Sequence, residues 1–102
     1  MDLSIVLPAL NEAGKIRDDV KAAADFLHRS DFSGEVIVVD DGSSDATARE
    51  ARETDIPASV KLHVIRYAVN RGKGCAVQAG VNHSTGEYVM FADAGLCVPF
   101  DN

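Results

Sequence analysis

Short, continuous apolar runs alternate along this chain with segments whose apolar positions recur at helical spacing. The runs lie at residues 3–8, 35–40, 60–66 and 87–92. The second is the plainest, with Val36, Ile37, Val38 and Val39 unbroken; the third alternates more. β-Branched runs of this kind suit strands covered on both faces, as in parallel sheets. Residues 12–29 place Ile16, Val20, Ala23, Ala24 and Leu27 on one helical face, with Asn11 positioned as its N-cap. Residues 45–54 predict a second helix with a thin stripe of Ala48 and Ala51, capped by Ser43 or Ser44. Residues 73–83 predict a third, with Val77 and Val81 one turn apart. Gly74 and Gly80 lower that helix's propensity, or else allow close packing. Ser33-Gly34, Asp41-Gly42 and Thr85-Gly86 mark turns. The order β-α-β-α-β-α-β predicts an α/β fold: an open parallel sheet with crossover helices.

A length of 102 residues and a hydrophobic share of 46% fit one domain with a single core, and exclude disorder. The net charge of −6 is uneven. Residues 1–60 hold six basic and thirteen acidic side chains; residues 61–102 hold four and three. That balance argues against nucleic acid as the main partner, which demands a basic footprint. It suits a metal ion, or a polyphosphate held through one. Cys75 and Cys97 make no disulfide framework and are read as small buried or free thiols. No basic leader precedes the first apolar run, and no run approaches the length of a membrane span, so a cytoplasmic location is expected.

Ligands of open parallel sheets bind at the carboxyl ends of the strands. Here those ends are polar. The first run ends in Pro8-Ala9-Leu10-Asn11-Glu12, the second in Asp40-Asp41-Gly42-Ser43-Ser44-Asp45 and the fourth in Asp93-Ala94-Gly95. Asn70-Arg71-Gly72-Lys73-Gly74 follows the third. Carboxylates and a glycine-flanked lysine thus converge on one edge. Taken singly, each has a plainer reading. Asn11 and Ser43 serve as helix caps in any protein, Asp40, Asp41 and Asp93 serve as turn residues, and Gly72-Lys73-Gly74 serves as a loop. His28, His63 and His83 share no metal-ligand spacing and read as surface or interface residues. The phosphate-binding loop G-x-x-x-x-G-K-[ST], the dinucleotide fingerprint G-x-G-x-x-G and the nucleophile elbow G-x-S-x-G are all absent.

In combination and in this order, four segments resemble glycosyltransferase family 2, and most of all its polyprenyl- or dolichyl-phosphate glucosyl- and mannosyltransferases. They are residues 8–12, residues 39–47, the run Asn70-Arg71-Gly72-Lys73-Gly74-Cys75-Ala76-Val77, and residues 85–94. The third segment looks most like the glucosyltransferase branch, which uses UDP-glucose. The resemblance covers nearly the whole chain.

It implies the Rossmann-like, nucleotide-binding half of a GT-A fold, with strand order 3-2-1-4 and residues 1–102 as that half. It implies an inverting, metal-dependent enzyme that transfers sugar from a nucleoside-diphosphate sugar to an acceptor such as a polyprenyl phosphate. By that analogy Pro8, Ala9, Asn11 and Glu12 line the nucleoside pocket, and Asp40 or Asp41 contacts the base. Arg71, Gly72 and Lys73 lie along the nucleotide and diphosphate. Ala92 and Asp93 sit at the D-x-D motif that holds Mg²⁺ or Mn²⁺. Gly95 replaces the second Asp of that motif, which weakens the metal site without abolishing it, because Mg²⁺ can bind through one carboxylate plus phosphates and water. The acceptor site and catalytic base are expected beyond Asn102, so the 102 residues alone are expected to be inactive, and the whole enzyme to act at a membrane periphery. Without later elements, residues 87–92 would be an exposed apolar edge, predicting a homodimer through that edge. Two other readings compete: a degenerate α/β module for protein interaction, and a sugar-nucleotide nucleotidyltransferase. The latter expects a Gly-rich basic loop after the first strand, which residues 8–12 do not offer.

Overall fold

The computed structural model describes residues 1–93 and 96–101, with side chains through Phe91. Its strands are β1 (Leu3–Ala9), β2 (Gly34–Asp41), β3 (Val60–Tyr67), β4 (Tyr88–Asp93) and β5 (Leu96–Asp101). Its helices are α1 (Ile16–Arg29), α2 (Thr47–Arg52) and α3 (Lys73–His83). They form one sheet in the order β3-β2-β1-β4-β5. The first four strands are parallel, as the alternating pattern predicts.

The unbroken apolar runs fall on the central strands because both sheet faces are covered. On one face Ile5, Leu7, Val36 and Val38 meet Ile16, Val20, Ala24 and Leu27 of α1, and Ala51 of α2. On the other, Val6, Ile37, Val39 and Val89 meet Ala76 of α3. The alternating run is the edge strand β3, most of whose side chains are half-buried. Gly80 does permit close packing: a Cβ there would collide with the side chain of Val6. The β-branched side chain of Val6 has little freedom to move aside, so α3 can lie on β1 only without a side chain at residue 80.

Three expectations need correction. Asn11 does not cap α1, which begins at Ile16 with Lys15 in the cap position. Asn11 instead adopts a left-handed backbone (φ 53°), and its side-chain oxygen accepts the Ser44 amide at 2.9 Å. Neither Ser43 nor Ser44 caps α2; Asp45 accepts the Thr47 amide at 3.0 Å and the Thr47 hydroxyl. Finally, β4 is not an edge. β5 pairs with it in antiparallel register, Tyr88 opposite Asp101 and Asp93 opposite Leu96. Pro99 argues against a central strand, but an edge strand tolerates proline where its missing N–H would face solvent. With β4 flanked by β1 and β5, the exposed edge invoked for a homodimer does not exist. Among the described residues, no helix is long and apolar enough to cross a membrane.

Candidate functional site

The connection from β1 packs α1 on one face of the sheet, and the connection from β3 packs α3 on the other. Because β1 lies between β2 and β4, the strand order reverses at the β1–β4 boundary. In open parallel sheets ligands bind at the carboxyl ends of the strands, near such a reversal. The structure has a cleft of about 330 Å³ at the carboxyl ends of β1 and β2, beside the loop that leads into α3. Of the residues singled out from the sequence, Pro8, Ala9, Glu12, Asp41, Gly72 and Lys73 line it. Leu10, Asn70 and Ala76 line it too. All three lie within the motif segments, although none was named there as a site residue.

Asp41 organises one wall. Its two carboxylate oxygens accept the backbone amides of Arg71 and Gly72, each at 2.8 Å. Asn70 Oδ1 accepts the Gly72 amide as well, at 2.9 Å. Gly42 lets that loop approach, because a Cβ there would meet Asn70 N at 2.5 Å and the Val69 carbonyl carbon at 2.7 Å. The loop leads into α3, whose first residue is Lys73. A helix N-terminus beside a lysine favours an anion, through unsatisfied N–H groups and the helix dipole.

Not every named residue reaches the cleft. Asp40 is fully buried below it: one oxygen accepts the Ser43 amide at 2.9 Å, and the other faces Arg66 Nε at 3.6 Å. The Arg71 guanidinium lies over the Tyr67 ring, 4.9 Å from its centroid. Asn11 turns toward Ser44. The side chains of Ala92 and Asp93 lie outside the described residues, as do Ala94 and Gly95. Asp93 is the last residue of β4, which runs parallel to β1 and so ends on the same edge of the sheet. Among the described residues no group of three His, Cys, Asp or Glu side chains could hold a metal ion.

Among the described residues, two carboxyl groups are shifted. The Thr47 hydroxyl, with the amides of Ala13 and Thr47, holds the Asp45 carboxyl below the usual carboxylate range. At the opposite end of the sheet, burial raises the Glu35 carboxyl. Hydrogen bonds from Ser4 and Thr85, with the charge of His63, outweigh burial and leave it lowered. His63 Nε2 lies 3.2 Å from Glu35 and its ring stands edge-on to His83. Cys75 is exposed and free; Cys97 lies outside the described side chains.

Comparison with known proteins agrees with this architecture. A family model described as "Glycosyl transferase family 2" matches residues 4–102. Dolichyl-phosphate beta-glucosyltransferase of Mus musculus is 42% identical over 104 residues, which cover 96% of this chain and 32% of the mouse protein. The chain thus spans about a third of that relative's length. Mannosyltransferase PcManGT from Pyrobaculum calidifontis, solved with GDP-Man and Mn²⁺, superposes with a TM-score of 0.71 at 30% identity, over 91% of this chain and 27% of that one. S. aureus TarS residues 1–349, solved with UDP, superposes with a TM-score of 0.74 at 27% identity, over 93% and 28%. Sequence motifs, strand order and these likenesses converge on one assignment: the chain belongs to glycosyl transferase family 2.

Proposed function

We propose that this chain forms the donor-binding part of a glycosyltransferase that moves glucose from UDP-glucose to a polyprenyl phosphate, with inversion at the sugar carbon. The observation that carries the proposal is the cleft at the carboxyl ends of β1 and β2, with Lys73 and the N-terminus of α3 on one wall. An anionic diphosphate fits that wall, and the apolar Pro8, Ala9 and Leu10 suit the nucleoside. Asp41, which lines the cleft where Asp40 does not, is the carboxylate available to the base. The likeness to the mouse glucosyltransferase supports the sugar and the lipid-phosphate acceptor, and the UDP complex of TarS supports the nucleotide. A lipid-phosphate acceptor would place the reaction at a membrane surface.

The Mn²⁺ in the mannosyltransferase structure supports a divalent ion. Asp93 would hold Mg²⁺ or Mn²⁺ together with phosphate oxygens and water. Such an ion would neutralise charge that develops on the departing nucleoside diphosphate.

Titration calorimetry tests the proposal. UDP should bind the 102-residue chain in the presence of Mg²⁺. The K73A variant should bind at least about tenfold more weakly, the loss of one charge-assisted contact. No heat of binding at millimolar UDP, from protein shown to be folded, would reject the donor site.

A further inference from the structure

Residues 11–14 form the loop between β1 and α1, which belongs to neither a sheet ladder nor a helix. Its backbone N–H groups are nevertheless all engaged, each by a different side chain from one segment. The Asn11 amide donates to Ser43 Oγ at 2.8 Å, and the Glu12 amide to Thr47 Oγ1 at 2.9 Å. The Ala13 amide donates to Asp45 Oδ2 at 3.1 Å, and the Gly14 amide to Glu50 Oε1 at 2.8 Å. A bond in the reverse direction, Ser44 N–H to Asn11 Oδ1, locks the same pair of segments. The spacing of the acceptors follows from α2: Thr47 and Glu50 are three residues apart, so both stand on one side of the helix. Thr47 is fully buried, and Asp45 fixes its hydroxyl by accepting that proton. The Thr47 oxygen is thereby left to accept from Glu12.

We propose that Ser43, Asp45, Thr47 and Glu50 are positioning residues, which hold residues 11–14 as a preformed wall of the nucleotide cleft. This rests on the donor-site reading, because Glu12 lines the cleft from that loop, next to Leu10, which precedes it. None of the four anchors lines the cleft itself, so they act through the backbone that they fix. A loop fixed before the ligand arrives loses less entropy on binding than one ordered by the ligand.

The test compares UDP affinity, in the presence of Mg²⁺, with amide hydrogen exchange at Glu12. T47V removes the acceptor and keeps the shape; T47S keeps the acceptor. We expect T47V to speed exchange at Glu12 and to weaken binding about tenfold, with T47S within about twofold of the parent. A residue that merely stabilises the fold would lower the melting temperature and leave affinity unchanged where both variants are folded. T47V with accelerated exchange and parental affinity overturns the proposal. Should T47V fail to fold, E50A against E50Q asks the same question at Gly14. A loss of affinity in E50A that E50Q restores supports the proposal, and parental affinity in E50A overturns it. If the parent chain itself binds no UDP, the donor-site reading falls and carries this inference with it, an outcome distinct from parental binding that the variants leave untouched.

Discussion

At the carboxyl end of the sheet, Asp40, Asp41, Asp45 and Glu50 each accept at least one backbone N–H group. Much of the acidic surplus in residues 1–60 therefore shapes loops. Counting carboxylates along the chain could not show this, since an aspartate before a glycine looks the same whether it faces ligand or amide. Glu35 shows the same use at the other end. It is 2% exposed and accepts from Ser4 Oγ at 2.6 Å, the Thr85 amide at 2.8 Å and the Thr85 hydroxyl at 3.0 Å. Its lowered pKa means that ionised Glu35 favours the folded state. That contribution is complete above the unfolded-state value of about 4.3 and fades as pH falls from there through the folded-state value. E35Q should cost about 2 kcal/mol at pH 7, because a charged acceptor is lost from a buried network. It should also flatten the acid limb of a stability–pH curve measured by urea unfolding. An acid limb as steep as the parent's would count against this account.

At the scale of elements, the hydrophobic pattern located all three helices and four of the five strands. The reason is that helical and strand periodicities differ, and each central strand is covered on both faces. The pattern was weakest at the ends. Residues 12–15 look helical by composition, yet the side chains of the α2 segment hold the amides of residues 12–14 in a loop instead. β5 was missed because Pro99 reads against a strand and nothing local says that an edge is available to it. Gly80 marks where element packing overrides propensity. G80A would gain about 1 kcal/mol in helix propensity, but overpacking against Val6 costs about 1–3 kcal/mol. G80A should therefore be no more stable than the parent chain, and V6A should be less damaging in the G80A background than alone. Additive effects in that double-mutant cycle would argue against direct contact between residues 6 and 80.

For the whole molecule, the order β3-β2-β1-β4-β5 leaves β3 and β5 as the edges. Lys61 and Arg66 on β3 and Pro99 on β5 are residues that discourage edge pairing. A chain shortened to end at residue 95 loses β5 and bares β4. It should sediment as dimers or larger species at concentrations where the 102-residue chain sediments as smaller ones. Identical profiles would mean that β5 does not guard that edge. The amino-acid sequence by itself determined the α/β class, the parallel order of elements and the four ordered motifs, because periodicity and turn chemistry are local properties. Family resemblance carried the strand order and the neighbourhood of the site. Only the tertiary structure decided which motif residues face the cleft. Asp41 does and Asp40 does not, since successive residues of a strand point to opposite faces and only packing settles which face is which. It also decided that Ser43, Asp45, Thr47 and Glu50 serve a loop more than thirty residues away in sequence, a partnership that exists only once β1 and β2 lie side by side.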